Sequence, residues 1–456
     1  MMKFKNILLL SLILLGARAC SDWFDVLPKT SIKSDKFFED ESGFQSALTG
    51  CYVRMTNDET YGKELTWYFM EKLVQRYDDN VGQTADIYKY NDGAHSKNKL
   101  SSIWINMYLT IANINNLIAQ LDENGKDVIV TEGYWNLMKG EALALRAYHH
   151  FDLLRMFGPI YKDNPSALSI PYRTTFTAEK EPLVSAETML EYIINDLLEA
   201  EKLLEDDPFL DYRGHRMNKY ATKALLARAY LYRGGTEDLA EAFRLAKDVI
   251  DNSGLSLVRD NTSDVTMFDE TLFGLHVHNM ENRVRTYFNV AGGRNGPELW
   301  ISVPNARRLF ESEQIGLNDI RFREGWGFHL GGEQGLMTRK YLTGPSHAYN
   351  EKIPLIRLSE MYLIAAEAGK DDSYLNKLRN VRGISRMNDV RFSNDREMVL
   401  ALKSEYRKEF FAEGQFFYFL KRHGEESFHR SVVEMSEAQY VFPLPDDERE
   451  YGWTTE

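Results

Sequence analysis

Two aromatic-rich, polar stretches hold the residue types best suited to recognising a small ligand. The first, residues 76–90, carries Arg76, Tyr77, Asp78, Asp79, Asn80, Tyr88 and Tyr90. The second, spread over residues 287–349, carries Tyr287, Arg294, Asn295, Trp300, Trp326, Phe328, Tyr341 and Tyr349. A sugar ring presents a face of C–H groups and a rim of hydroxyls, so it asks for an aromatic plane beneath and carboxamide or charged groups around its edge. Both stretches supply that mixture. The expected ligand-binding residues are Arg76, Tyr77, Asp79, Asn80, Tyr88, Tyr90, Arg294, Asn295, Trp300, Trp326 and Phe328. Sugar-binding rings have no fixed spacing, so ordinary packing competes with this reading at each of them.

Covalent chemistry is poorly represented. There is no Gly-x-Ser-x-Gly elbow, no His-Glu-x-x-His helix and no phosphate-cradling loop. Gly325-Trp326-Gly327 begins a dinucleotide fingerprint that fails at Leu330, where the third glycine would stand. His276 and His278 alternate as in a strand and could face a metal together. No third ligand accompanies them, and a polar strand face is the expectation. Asp260, Thr262 and Asp264 resemble the start of a calcium loop without its obligatory glycine. Asp78-Asp79 could serve glycoside hydrolysis only with a partner carboxylate at a set distance, which spacing along the chain does not supply. Arg146, Arg228, Arg357, Glu360 and Glu367 sit among apolar helical residues, with Glu141 near Arg146, and are expected in structural ion pairs. No catalytic residue, metal or cofactor is expected.

The elements that must position the two stretches are helical. Residues 142–148 (ALALRAY) return 82 positions later as residues 224–230 (ALLARAY). On helices, Leu143, Ala147, Phe151 and Leu154 form one apolar stripe, and Leu225, Ala229 and Tyr232 begin its equivalent. Small residues in each stripe let a partner helix come close. Such units cannot bury their face alone, which predicts stacked helical hairpins of the tetratricopeptide kind, about 34 residues each. The patterning predicts helices over 131–157, over 186 to about 205 with Ser185 as cap, and over 219–233 and 239–250 around a Gly234-Gly235 break. Gly158-Pro159 should end the first by freeing φ and removing a donor.

Periodicity lapses from 252 to 352, which predicts mostly loop and short strand, and a long irregular insertion in a helical protein points to function. Helices resume over 354–368, 372–382 and 396–422. Val441-Phe442-Pro443-Leu444-Pro445 demands an extended tail across the body. The expected fold is mainly α, a tetratricopeptide-like hairpin scaffold with an irregular, loop-rich body and short strands. Superhelical stacks mostly present binding surfaces, so recognition is favoured over catalysis.

Lys3 and Lys5 precede an apolar run over residues 7–15 and then Gly16-Ala17-Arg18-Ala19-Cys20, the pattern of an export signal. The run is about half the roughly 20 residues a spanning helix needs. Cleavage before Cys20 suits lipoprotein processing, with a soluble exported protein as the alternative. Loss of Lys3, Lys5 and Arg18 takes the net charge from −13 to −16, which disfavours nucleic acid. Cys51 is the one other cysteine, so no disulfide framework is available and the core must stabilise the chain.

The order of segments resembles the SusD/RagB family of outer-membrane nutrient-binding lipoproteins, nearly end to end. The resemblance rests on Cys20 through Thr30, Gly140-Glu141-Ala142 with Arg146-Ala147-Tyr148 and Phe157-Gly158, and Ile356 through Leu363 with Ala366-Glu367-Ala368. It extends to Asn376 through Arg382, Glu409 with Glu413-Gly414, and the Phe442-Pro443-Leu444-Pro445 close. It implies a signal peptide over 1–19 and a body over 20–456, divided into helical repeats to 251, the insertion over 252–352 and C-terminal helices with the tail. It also implies a surface lipoprotein anchored at Cys20 that captures a ligand, usually a glycan and here expected to be an oligosaccharide, and hands it to a TonB-dependent transporter barrel of the SusC kind. The alternatives are capture of a peptide by the same route and, less favoured, a secreted glycoside hydrolase. One departure is visible. Many members carry an Arg and an Asp where this chain has Phe416 and Phe419, so an ion pair there is not expected, and a starch-like ligand is less well supported.

Overall fold

The computed structural model describes residues 37–451 apart from 79–85, 91–93, 178, 207–213, 260–263, 289–298, 324–326, 331–334 and 344–347. Along the first half run α1 (Glu41–Met55), α2 (Phe69–Leu73), α3 (Ala94–Gln120), α4 (Tyr134–Phe157), α5 (Ala186–Leu203), α6 (Lys219–Arg233) and α7 (Thr236–Asn252). After α8 (Met280–Tyr287) and α9 (Val303–Phe310) come α10 (Leu358–Ala368), α11 (Asp372–Val381), α12 (Asp395–Glu409) and α13 (Gln415–His423). Among the described residues, strands form three antiparallel pairs: β1 (Leu168–Pro171) with β2 (Leu183–Ser185), β3 (Thr271–His276) with β6 (Lys352–Arg357), and β4 (Phe328–Leu330) with β5 (Leu336–Thr338).

The helices stack in sequence. Helix α3 packs on α4, α4 on α5, α5 on α6, α6 on α7, α7 on α10 and α10 on α11. Local chemistry sets their ends. Ser185 Oγ accepts from Thr188 N at 3.1 Å to cap α5, and Asn218 Oδ1 accepts from Ala221 N at 3.0 Å to cap α6. Gly234, at φ 77°, ends α6 in the left-handed conformation that glycine adopts without a Cβ penalty.

Helix α4 is buried on nearly every side, because α3 and α5 flank it and the later helices close over it. Its Gly140 makes room for α5: a Cβ there would stand 2.7 Å from Leu204 Cγ and 3.2 Å from Leu203 Cβ. Gly140→Val should therefore cost about 1–3 kcal/mol through overpacking, read as a lower urea midpoint with an unchanged m-value.

Several expected boundaries shift, each for a visible reason. Gly158 has φ −78°, so the left-handed region is not what ends α4. A Cβ there would meet Leu154 O at 2.6 Å, and glycine is required for space. The stretch expected as one helix from 354 begins instead as strand β6, with Ile353, Leu355 and Ile356 buried and Pro354 opposite Gly274. The expected helix over 396–422 is two helices. Between them Ala412 (φ 62°) and Gly414 (φ 74°) turn the chain, and both give their N–H groups to Glu71 at 3.0 Å. A Cβ on Gly414 would lie 2.3 Å from Leu65 O, so the turn needs glycine. The expected extended close holds: Phe442 N donates to Met156 O at 3.0 Å, and its ring packs on Phe69, Tyr90, Phe157 and Phe417.

Charge is buried as well as hydrocarbon. Arg146 forks onto Asp196 with two 2.7 Å bonds, and Arg228 onto Glu360 with two 2.6 Å bonds, tying α4 to α5 and α6 to α10. The carboxylate expected near Arg146, Glu141, instead takes Arg216 and the Tyr52 hydroxyl. Glu367 takes both terminal nitrogens of Arg422. At the centre, Arg321, Arg357 and Arg382 converge on Glu409, with Glu270 and Glu413 completing the shell. The network joins the irregular 252–352 region to the C-terminal helices, while Val258, Val265, Met267 and Ile320 form a small separate apolar cluster.

Candidate functional site

The two aromatic-rich stretches meet at Asp78. Its backbone N–H donates to Trp300 O at 2.7 Å, and its carboxylate accepts from the N–H of Ser302 and from Asn305 Nδ2 at 2.7 Å. Ser302 is the N-cap of α9, and Asn305 lies in that helix's first turn, so Asp78 supplies the anion that an N-terminus favours. Arg430, from the loop after α13, pairs with the same carboxylate and also donates to Tyr77 O at 3.3 Å. Arg430 has φ 72°, a left-handed conformation uncommon for a side chain of its size. Three separate segments are clamped at one acidic side chain.

Trp300 stands at the rim, half-buried. Its ring lies over Gly335, where a Cβ would be 2.8 Å from Trp300 Cε3 and 2.6 Å from Ile301 O, and whose φ of +140° also favours glycine. Two backbone bonds between Ile301 and Leu336, at 2.9 and 2.8 Å, hold this strip to β5. Trp300 is thus a fixed aromatic surface beside charged and amide groups. That combination can stack a ring and hydrogen-bond its edge.

The structure corrects five of the expected contact residues. Arg76 is buried, donates from Nε to Glu71 at 3.0 Å and lies over the rings of Phe411 and Phe416 at 5.5 and 4.9 Å. Tyr77 is 2 % exposed and donates to Trp67 O at 2.7 Å. Tyr88 donates to Leu73 O, and burial pushes its hydroxyl up to about 12. Tyr90 donates to Gln439 O at 2.8 Å, and Phe328 packs against Phe310, Phe322 and Phe411. All five are buried and engaged by neighbours inside the body, which leaves no free face for a ligand. Asp79, Asn80, Arg294, Asn295 and Trp326 lie outside the described residues, as does Cys20.

Of the other second-stretch rings, Tyr341 is buried and donates to Ala412 O at 2.9 Å, and Tyr287 is half-buried with Lys63 Nζ 3.2 Å from its hydroxyl. Sequence reasoning missed Asn305 and Arg430. No motif marks them, since loop arginines and helix asparagines are common and only three-dimensional proximity distinguishes these.

Phe416 and Phe419 are buried and stacked at 6.3 Å and 11°, so no ion pair occupies those positions, and Arg76 covers Phe416 instead. Among the described residues no group of three or more His, Cys, Asp or Glu side chains is arranged to hold a metal, and no helix is long and apolar enough to cross a membrane.

Comparisons with known proteins speak to the family and the fold. Residues 22–231 match a family described as SusD-like, starch-binding and associating with the outer membrane, and residues 331–451 match the SusD family model. A SusD-like protein of Bacteroides ovatus is 28% identical over 277 residues, which is 56% of this chain and 46% of that one. Another, of Formosa agariphila, is 25% identical over 312 residues, 66% and 54% respectively. The chain spans about half the length of these curated relatives. A SusD superfamily structure from Bacteroides thetaiotaomicron superposes with a TM-score of 0.73 at 23% identity, covering 90% of this chain and 98% of that one. A SusD-like carbohydrate binding protein from Bacteroides vulgatus gives 0.71 at 20%, covering 91% and 96%. At those identities the likeness speaks for the fold.

Proposed function

The chain belongs to the SusD/RagB family, and on that premise we propose that it is a non-enzymatic, surface-exposed binder that captures an oligosaccharide. It passes that ligand to a TonB-dependent transporter barrel, held at the outer membrane by a lipid on Cys20. The observation that carries this reading is the Asp78 clamp: it brings both irregular stretches to one spot, with Trp300 half-exposed at the edge. The match of residues 22–231 to a family described as starch-binding supports a saccharide over other nutrients.

Calorimetric titration over a panel of oligosaccharides tests it. Trp300→Ala should weaken the bound saccharide by roughly 10- to 100-fold, the scale of losing a central aromatic contact, with thermal stability nearly retained because the ring is half-exposed. Unchanged affinity in that variant would remove Trp300 from the site. A wild-type protein that binds peptides and no glycan would replace saccharide by peptide.

A further inference from the structure

The full chain is acidic, with a formal net charge of −13, yet cations gather beside the Asp78 clamp. Arg407, in the last turn of α12, donates to the carbonyls of Arg308 and Leu309 at 3.4 Å each. Among the described residues no carboxylate pairs with it, and its Nε is buried without a hydrogen-bond partner. Arg430 spends one terminal nitrogen on Asp78 and Tyr77, while the other is likewise buried and unbonded. Arg76, beneath, has a third such nitrogen. Arg308 and His429 stand exposed on the solvent side, and Arg308 lines an open cleft along α9 with Pro304, Arg307, Glu311, Glu313 and Gln314, where Glu313 is taken by Arg307 at 3.1 Å.

The nearby acids do not balance this charge. Asp78 already takes Ser302 and Asn305, Glu71 already takes Arg76 and two backbone N–H groups, and Glu311 is bonded to Lys408 at 2.6 Å. The crowding of positive charge acts on the groups themselves. Burial first, then repulsion from Arg76, pulls the Arg407 guanidinium down to about 10 against the opposing pull of Glu311. Burial, then Arg407 and Arg430, holds His429 below its ordinary value. Unbonded guanidinium N–H groups in a partly desolvated site are a costly arrangement unless an acceptor anion completes it.

We propose that Arg407 and Arg430, with Arg308 and His429 at the mouth, form a subsite for an anionic substituent, so that the captured saccharide is an acidic one bearing uronate carboxylates or sulfate esters. The proposal rests on the saccharide-capture reading and goes beyond it by naming the ligand class. Trp300 would carry a ring while the neighbouring arginines hold the ring's charged group, a planar fork meeting a carboxylate or sulfate face.

Titration of the full protein with three probes separates the possibilities: oligogalacturonate for carboxylate, a chondroitin sulfate oligosaccharide for sulfate ester, and a neutral cello-oligosaccharide. The expected result is binding to at least one acidic probe at least tenfold tighter than to the neutral one, an advantage that shrinks as salt rises. Arg407→Gln should lose at least tenfold toward the acidic probe, and the exposed Arg308→Gln, whose folding is not at risk, two- to fivefold. Which acidic probe wins identifies the anion. A neutral probe bound as tightly as the acidic ones, or unaltered acidic binding in both variants, overturns the anionic subsite and leaves saccharide capture standing. Absence of binding to every glycan, acidic or neutral, would overturn both.

Discussion

Glu409→Gln lowers the free energy of unfolding by about 3–5 kcal/mol, the cost of breaking a buried ion pair from one side. The carboxylate accepts from Arg357 and Arg382 at 2.6 Å through one oxygen, and from Arg321 at 2.8 Å and Arg382 Nε at 3.1 Å through the other. All three guanidiniums and the carboxylate are almost completely removed from water. Glutamine preserves the volume but turns one acceptor into a donor, so an amide N–H must face an arginine N–H and one positive charge loses its counterion. Glu270 and Glu413 still hold Arg357 and Arg382, and Asp319 and Glu405 hold Arg321, which is why the loss is partial and the chain still folds. Chemical denaturation of both proteins checks this. A loss under 1 kcal/mol would mean that the centre is hydrated and the ion network dispensable.

The fold was legible where hydrophobic period and caps agreed. Residues 219–233 follow a small-residue stripe between an Asn cap and a Gly pair, and α6 occupies that span. Ser185, followed by Leu190, Ile193, Ile194 and Leu197, announces α5 in the same way. Helix α3 went unread although Ile103, Trp104, Met107, Ile111, Ile114 and Leu117 are all buried on it. Asn115 interrupts that buried face and is spent on the carbonyls of Arg173 and Thr175, a tertiary use that no local pattern encodes. The break at 410–414 was hidden because its partner, Glu71, lies more than 300 residues earlier.

The site was legible in region but not in residue. The two stretches do touch, through Asp78 and Trp300. Composition cannot distinguish a ring that supports from a ring that contacts, and Tyr77, Tyr88, Tyr90 and Phe328 proved to be supports because their hydroxyls or faces meet backbone and aromatic neighbours already in place. Arginine and asparagine at the junction carried no sequence signal, since their importance lies in which chain segments they join.

Acidification should unfold the protein in two stages, the upper one set by helix α4. His149 and His150 are both fully buried there. His149 bonds Leu145 O at 2.7 Å through Nδ1, and burial holds its imidazole down to about 4 against the opposing effects of that carbonyl and Asp152. His150 lies well below its ordinary value, first through burial and then through Arg146. Its Nε2 accepts from Arg173 N at 3.1 Å, a bond that protonation would abolish. An unfolded histidine titrates near 6.5, so between about pH 6.5 and 4 the unfolded chain binds more protons and stability falls as pH falls. For His149 alone this amounts to roughly 3 kcal/mol across the window.

The lower stage belongs to carboxylates. Burial alone would raise Glu409, but Arg382 and Arg357 hold it well below the usual range, and Arg422 and His423 do the same for Glu367. Their stabilisation is present above the unfolded Glu value near 4.3 and is lost as pH drops beneath it. Glu71 and Asp264, raised by burial, work in the opposite sense. Thermal midpoints should therefore be level near pH 7–8, decline below 6.5 and drop more steeply below about 4.5. His149→Gln should make the upper limb shallower, with His150 still contributing, and leave the lower one in place. A midpoint that stays level from pH 7 to 5 in the wild type would show that α4 opens to water on its histidine side, and the enclosed position of that helix in the stack would have to be abandoned.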